Sequence, residues 1–156
     1  MRHVTPLVLI ALMVAGGASA GDRRTAEARA VRNSIERAIK ATSQEQQQAA
    51  FDEIVALGCP AVPEIVAAMD DSRPLPVAYI RLKNDDPQAF EAFRQYGPRS
   101  MSDALAAILN HLTWQDFGFI YNGATEQERT RAIAGWRAFL RDTPTRELCA
   151  AKQRGG

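Results

Sequence analysis

The spacing of hydrophobic residues predicts helices along most of the chain. Between Thr25 and Ala41 the apolar positions recur every three or four residues, with arginines on the opposite face. Ser43 and Gln46 form a capping-box pattern that begins a second helix, and Gly58 ends it. Pro60 is tolerated only in or before the first turn of a new helix. The stretch Ala49–Asp70 therefore predicts two short helices that fold against each other across a tight turn.

The same pattern predicts three further helices in the second half of the chain. Asp86 before Pro87 is typical of a helix start, and the apolar residues up to Tyr96 extend that prediction to residues 86–96. A clear apolar stripe follows between Leu105 and Leu112. Residues 125–128 form a capping box that begins a last helix, which Pro144 ends.

One segment is ambiguous. Pro74 and Pro76 predict a loop, and the following Val77–Lys83 suits either a short strand or a single helical turn. No strand pair is predicted elsewhere. The sequence therefore predicts an all-α fold, a compact bundle of about five to six helices arranged as successive helical hairpins.

The first twenty residues have the three parts of a secretory signal peptide. Arg2 and His3 are basic, Pro6–Val14 is apolar, and Gly17–Ala20 is small, which predicts cleavage between Ala20 and Gly21. The apolar run is shorter than the roughly 20 residues that cross a bilayer. We therefore expect a signal peptide over 1–20, a helical domain over 21–144 and a C-terminal tail over 145–156, in the periplasm or outside the cell, without membrane insertion.

The charge balance argues against nucleic acid as a partner. The chain has 19 basic and 18 acidic residues, and removal of Arg2 with the signal would leave 18 of each. Nucleic-acid binding takes most of its affinity from phosphate neutralisation by a basic face, and no basic excess is present.

Cys59 and Cys149 are the only cysteines. In an oxidising compartment such thiols most often pair, which would pin the tail and close a loop worth roughly 4 to 5 kcal/mol. A metal pair or a redox pair is the alternative. Both are disfavoured, because the spacing is not C-x-x-C and His111 is the only histidine beyond the signal. The sequence predicts no metal site and no cofactor.

The stretch LGCPAVPEIVAAMDD resembles a HEAT repeat, the helix-turn-helix unit of α-solenoids. The matching positions are Leu57, Gly58, Ala61, Val62, Pro63, Ile65, Met69 and Asp70. The stretch from Asp103 to Leu140 is similar to the end of some bacterial HEAT-like secreted proteins of unknown activity, although Trp114 stands where their pattern usually has glycine. The resemblance implies successive HEAT-like hairpins and a scaffold or binding role. Only one unit is clear, so it implies a compact bundle rather than a long solenoid.

Two groups of residues are candidates for a functional site. The first is the loop over residues 113–123, which is rich in aromatic residues and which we call the aromatic loop. It is a candidate binding surface for a partner, but it could instead fold back and complete the core. Its aromatic residues are Trp114, Phe117, Phe119 and Tyr121. His111 could act as a base, with Asp116 as an orienting acid or Cys149 as a nucleophile, but a lone histidine beside core leucines is more often a packed residue.

No strong catalytic motif accompanies these candidates. The sequence therefore favours a non-catalytic interaction module that binds a protein or peptide through the groove between its helices and the aromatic loop. Two alternatives remain open: a small envelope hydrolase acting on cell-wall material through His111, and an inhibitor or immunity protein for a periplasmic toxin.

Overall fold

The computed structural model describes residues 19–155, and their side chains as far as Gln153. Most of the predicted signal peptide lies outside the described residues. Its predicted cleavage point falls within the first turn of α1, which begins at Ala20 and is capped by the side chain of Ser19. Within the described part of the chain, no helix combines the length and apolar character needed to cross a membrane.

The described residues are mainly helical. The helices are α1 (Ala20–Ile39), α2 (Gln44–Ala56), α3 (Val62–Ala67), α4 (Met101–Thr113), α5 (Glu126–Asp142) and α6 (Ala150–Gly155). Short 3-10 turns precede α3 at Cys59–Ala61 and α6 at Thr145–Glu147. Gly58 takes a φ of 68°, a left-handed conformation that favours glycine, and so allows the sharp turn between α2 and α3. Both helices predicted within residues 49–70 are present with the turn between them, but α2 packs mainly against α1 and α3 mainly against α4 and α5, rather than against each other.

The prediction of a purely all-α fold is wrong, because two strands form an antiparallel hairpin. Strand β1 (Ile80–Lys83) pairs with β2 (Phe93–Tyr96), with Ile80 opposite Tyr96 and Lys83 opposite Phe93. The ambiguous Val77–Lys83 segment thus contains a strand, and the helix predicted over residues 86–96 does not form.

The helix-start residues at Asp86 and Pro87 do form a turn, but only a single one. The Asp86 carboxylate accepts a hydrogen bond from the Gln88 backbone at 2.9 Å, and its carbonyl accepts one from the Ala89 backbone at 3.0 Å. Beyond this turn, pairing with β1 prevails over helix propensity, because Ile80 and Leu82 alternate inward and are buried in the core. Short strands of this kind are decided by tertiary contacts.

Helix α4 lies at the centre of the core. Nearly all its residues are buried, and α2, α3, α5, α6 and β1 contact it. Its N-terminus is held by Asp103, whose fully buried carboxylate accepts hydrogen bonds from the Ser100 backbone at 3.1 Å and from Arg129 of α5 at 2.7 Å. This ion pair fixes α5 against the start of α4.

Cys59 and Cys149 form the predicted disulfide, with their Cα atoms 6.1 Å apart. The bond joins the turn before α3 to the residue before α6. Leu148 and Cys149 are also buried. The tail is therefore tied to the bundle at this point, and α6 packs against α4.

Candidate functional site

The predicted aromatic loop is divided between the core and the surface. Tyr121 is buried, and Phe117 packs edge-on against Trp136 of α5, with ring centroids 4.9 Å apart. Trp114 is half-buried at the C-terminal end of α4, with a φ of 58°. Phe119 is the exposed member, with 65% of its surface accessible. Most of the loop therefore completes the core, and one ring remains available at the surface.

Phe119 belongs to an aromatic cluster that links the loop to the strand hairpin. Its ring centroid lies 4.8 Å from that of Tyr121 and 6.3 Å from that of Tyr96 in β2. The backbone N–H of Gly97, just after β2, donates to the Asn122 side chain at 2.8 Å. The end of β2 thus contacts the aromatic loop directly.

Three large hydrophobic side chains are exposed in the described part of the chain: Phe90, Phe93 and Phe119. Phe90 lies in the loop between the strands and is fully exposed, and Phe93 is 42% exposed in β2. All three belong to the hairpin or to the adjacent aromatic loop. We call the hairpin, residues 80–96, together with Phe119 the hairpin surface.

The hairpin surface also carries two arginines, within a hairpin of three basic and three acidic residues. Arg81 lies over the Phe93 ring, with its guanidinium carbon 4.6 Å from the ring centroid. Arg94 donates to the side chain of Asn84 at 3.1 Å. Exposed aromatic rings beside arginines are the composition that protein interfaces favour.

The hairpin is oriented by two buried glutamines of α2. Gln47 accepts from the Val77 backbone at 3.0 Å and donates to the carbonyls of Val77 and Tyr79. Gln48 accepts from the Arg81 backbone and donates to the Arg81 carbonyl, both at 2.8 Å. These side chains satisfy main-chain groups that a neighbouring strand would otherwise satisfy. They hold β1 against α2.

Sequence reasoning missed this arrangement. The run Gln44–Gln48 predicts a solvated helix face, yet Gln47 is fully buried and Gln48 nearly so. Phe90 and Phe93 are among the apolar residues that predict a helix over residues 86–96. The alternation of Ile80 and Leu82 with basic residues was the one signal for a strand, and it is too short to decide from sequence alone.

The other candidate residue, His111, lies near the C-terminus of α4 and is 8% exposed. Its Nε2 atom lies 3.7 Å from the Asp85 carboxylate and 3.5 Å from the Lys152 ammonium. Asp85 and Lys152 also pair directly, at 2.8 Å. The cluster joins α4, the hairpin loop and the tail helix α6.

The electrostatics of this cluster favour a neutral imidazole. Burial lowers the pKa of His111, and the neighbouring Lys152 lowers it further, while Asp85 acts in the opposite direction. The hydrogen bond from Lys152 lowers the pKa of Asp85. The three groups thus form a Lys–Asp ion pair beside a neutral histidine.

Asp116, the predicted partner of His111, contacts other groups. Its carboxylate accepts a hydrogen bond from the Gly118 backbone at 2.8 Å. Burial raises the pKa of Tyr121, and Asp116 contributes to that increase. The acid beside His111 is Asp85, from a loop that the sequence did not connect with it.

The helical side of the molecule carries an open groove of about 640 Å³. Arg23 and Arg24 of α1 line it, opposite Pro63 and Leu140. Ala20 also borders the groove, next to the N-terminal residues outside the described range. Within residues 19–155, no group of three or more histidine, cysteine or acidic side chains is arranged to hold a metal ion.

Comparison with protein-family models, with curated proteins and with solved structures found no match. Function is therefore inferred from the residues of this chain, and the resemblance to HEAT repeats remains a prediction.

Proposed function

We propose that this chain is a non-catalytic interaction module that acts in the periplasm or outside the cell and binds a protein or peptide partner. The observation that carries the proposal is the grouping of Phe90, Phe93 and Phe119 on the hairpin surface. Exposed apolar side chains scattered singly need no explanation, whereas three exposed rings on one hairpin and the loop that contacts it support a binding site. The proposed surface is the strand hairpin with Phe119, in place of a groove between helices.

The disulfide supports the proposed location. A bond between Cys59 and Cys149 persists in an oxidising compartment and is rare in a reducing one. It also supports a binding role, because it ties down the tail that carries Lys152 and so holds the hairpin loop through Asp85. A fixed hairpin loses less conformational entropy when it binds.

The surroundings of His111 favour a positioning role over catalysis. The ring is largely enclosed, and its polar neighbours connect three structural elements. A catalytic base needs to reach a proton on its substrate. We therefore propose that His111 helps to hold the hairpin loop and the tail against α4.

Site-specific photo-crosslinking tests the interaction module. A benzophenone amino acid would replace Phe90 or Phe119, or in a matched control Arg32, which is exposed on α1 away from the hairpin. In envelope extract we expect the hairpin sites to crosslink to the same protein, and excess unlabelled domain to compete. The Arg32 site should not give this product. Equal crosslinking at all three sites, or no product that competes, would contradict the proposal.

A further inference from the structure

The pattern of hydrogen bonds between the two strands directs some main-chain groups of β2 outward, away from β1. The Asn84 backbone N–H donates to the Ala92 carbonyl at 2.8 Å, which makes that facing pair a hydrogen-bonded one. Because hydrogen-bonded and non-hydrogen-bonded pairs alternate in an antiparallel ladder, the main-chain groups of Phe93 and Gln95 point away from β1.

Some of the corresponding outer groups elsewhere in the hairpin are occupied, whereas those of Lys83 in β1, like those of Phe93 and Gln95, have no partner in the described part of the chain. On β1, Gln48 satisfies both the N–H and the carbonyl of Arg81. Beyond β2, the side chain of Asn122 satisfies the N–H of Gly97. Among residues 19–155, no hydrogen-bond partner is found for the outward N–H and carbonyl groups of Phe93 and Gln95. The helices α2 and α4 contact β1, and β2 packs chiefly against β1.

We propose, building on the interaction module above, that an extended peptide segment of the partner adds to the outer edge of β2 as a third strand. Strand addition of this kind uses main-chain hydrogen bonds for affinity and alternate side chains for specificity. Phe93 and Gln95 would each exchange a pair of main-chain hydrogen bonds with the incoming segment.

The side chains of β2 indicate the chemistry of that segment. Arg94 and Tyr96 lie on the same face of the strand, two residues apart. Arg94 has no acidic partner within salt-bridge distance in the described part of the chain. Tyr96 contacts the exposed ring of Phe119. An antiparallel segment would therefore carry an apolar residue opposite Tyr96 and, two positions later, an acidic residue opposite Arg94.

The same residues disfavour a second copy of this chain as the occupant. If two copies of the chain paired through their β2 edges, all the outward main-chain groups of Phe93 and Gln95 would be used in only one register. In that register Phe93 of each copy faces Gln95 of the other. That register places Arg94 opposite Arg94, and like charges directly opposite each other destabilise a strand pair. A partner with an acidic residue at this position avoids the repulsion.

A synthetic peptide tests the proposal: acetyl-Ser-Thr-Val-Thr-Asp-Thr-Ser-amide, in which valine would face Tyr96 and aspartate Arg94. Titration into the ¹⁵N-labelled disulfide-bonded domain should shift the amide signals of Phe93 and Gln95 and slow their hydrogen exchange. The amide of Arg94 should be protected before and after addition. Methylation of the two peptide nitrogens that face β2 should abolish binding. Methylation of the valine and aspartate nitrogens, which point away, should leave binding intact.

Charge reversal provides the specificity control. We expect the wild-type domain to prefer this peptide about fivefold over one with lysine for aspartate. The preference should invert in Arg94→Glu and disappear in Arg94→Gln, which also serves if the first variant fails to fold. Strand addition would be overturned if both methylated peptides bound equally well or if no peptide bound at all. It would also be overturned if Arg94→Gln left the preference unchanged, or if the free domain dimerised through β2. If crosslinking at Phe90 and Phe119 persists in any of these cases, the proposed interaction module remains supported, but strand addition does not.

Discussion

The substitution Gln47→Glu tests how the hairpin is held. In the native structure the Gln47 amide donates to the carbonyls of Val77 and Tyr79 at 2.8 and 3.0 Å. A carboxylate has no hydrogen to donate and would place negative charge against two carbonyl oxygens in a fully buried position.

The expected magnitude follows from these contacts. Loss of two hydrogen bonds costs about 1 kcal/mol each, and burial of the carboxylate adds about 1.4 kcal/mol for each unit by which its pKa rises. We expect a total loss of about 3 to 5 kcal/mol in unfolding free energy at pH 7. The new carboxyl would have a raised pKa in the folded state. Its cost should therefore be small below about pH 4, where the unfolded chain is also protonated, and should grow as the pH rises.

Urea unfolding followed by circular dichroism between pH 4 and 8 measures this effect. Gln44→Glu is the matched control, because Gln44 is exposed in the first turn of α2, where a negative charge is neutral or slightly stabilising. A loss below about 1 kcal/mol that is independent of pH, or one equal to that of the control, would show that Gln47 does not hold the hairpin.

Three further predictions concern the tail and the aromatic loop. Replacing both Cys59 and Cys149 by serine should lower the unfolding free energy by up to about 4 to 5 kcal/mol, measured by urea unfolding against the oxidised wild type; an unchanged midpoint would contradict it. Because the folded-state pKa of His111 is lowered, stability should be fully present above about pH 6.5 and fall as the pH drops below it, and His111→Asn should flatten this slope. Gly135→Ala should lower the melting temperature despite the better helix propensity, because the added Cβ would lie 2.6 Å from the Cβ of Phe117; in a Phe117→Gly background, which lacks that atom, the penalty should disappear, and a rise in the wild-type background would refute it.

The helices show how far local pattern reaches. The two helices within residues 49–70 and the capping box at Thr125 combine apolar spacing with stop or start residues, and the sequence predicts both. The signals near Asp86 were of the same kind. They produced only one turn, because the residues from Phe93 to Tyr96 pair with β1 instead of continuing a helix.

The candidate site was less accessible from sequence. Phe119 was identified as an aromatic of the right loop, but nothing local distinguished it from Phe117, which packs on Trp136. The acid beside His111 comes from a loop 26 residues earlier in the chain, and the lysine from the tail. Such pairings depend on the positions of distant elements, which spacing along the chain does not report.

The sequence by itself determined the mainly helical character of the domain, the turn at Gly58 and the pairing of the only cysteines, because caps, glycine conformation and thiol chemistry act locally or by elimination. Only the tertiary structure decided that residues 80–96 form a hairpin and that Gln47 and Gln48 stabilise it. The main-chain groups at a strand edge form hydrogen bonds with the element that lies beside them. Here the glutamines that accept and donate these bonds lie in a helix more than thirty residues away along the chain. The edge of β2 that has no such neighbour is the proposed binding site.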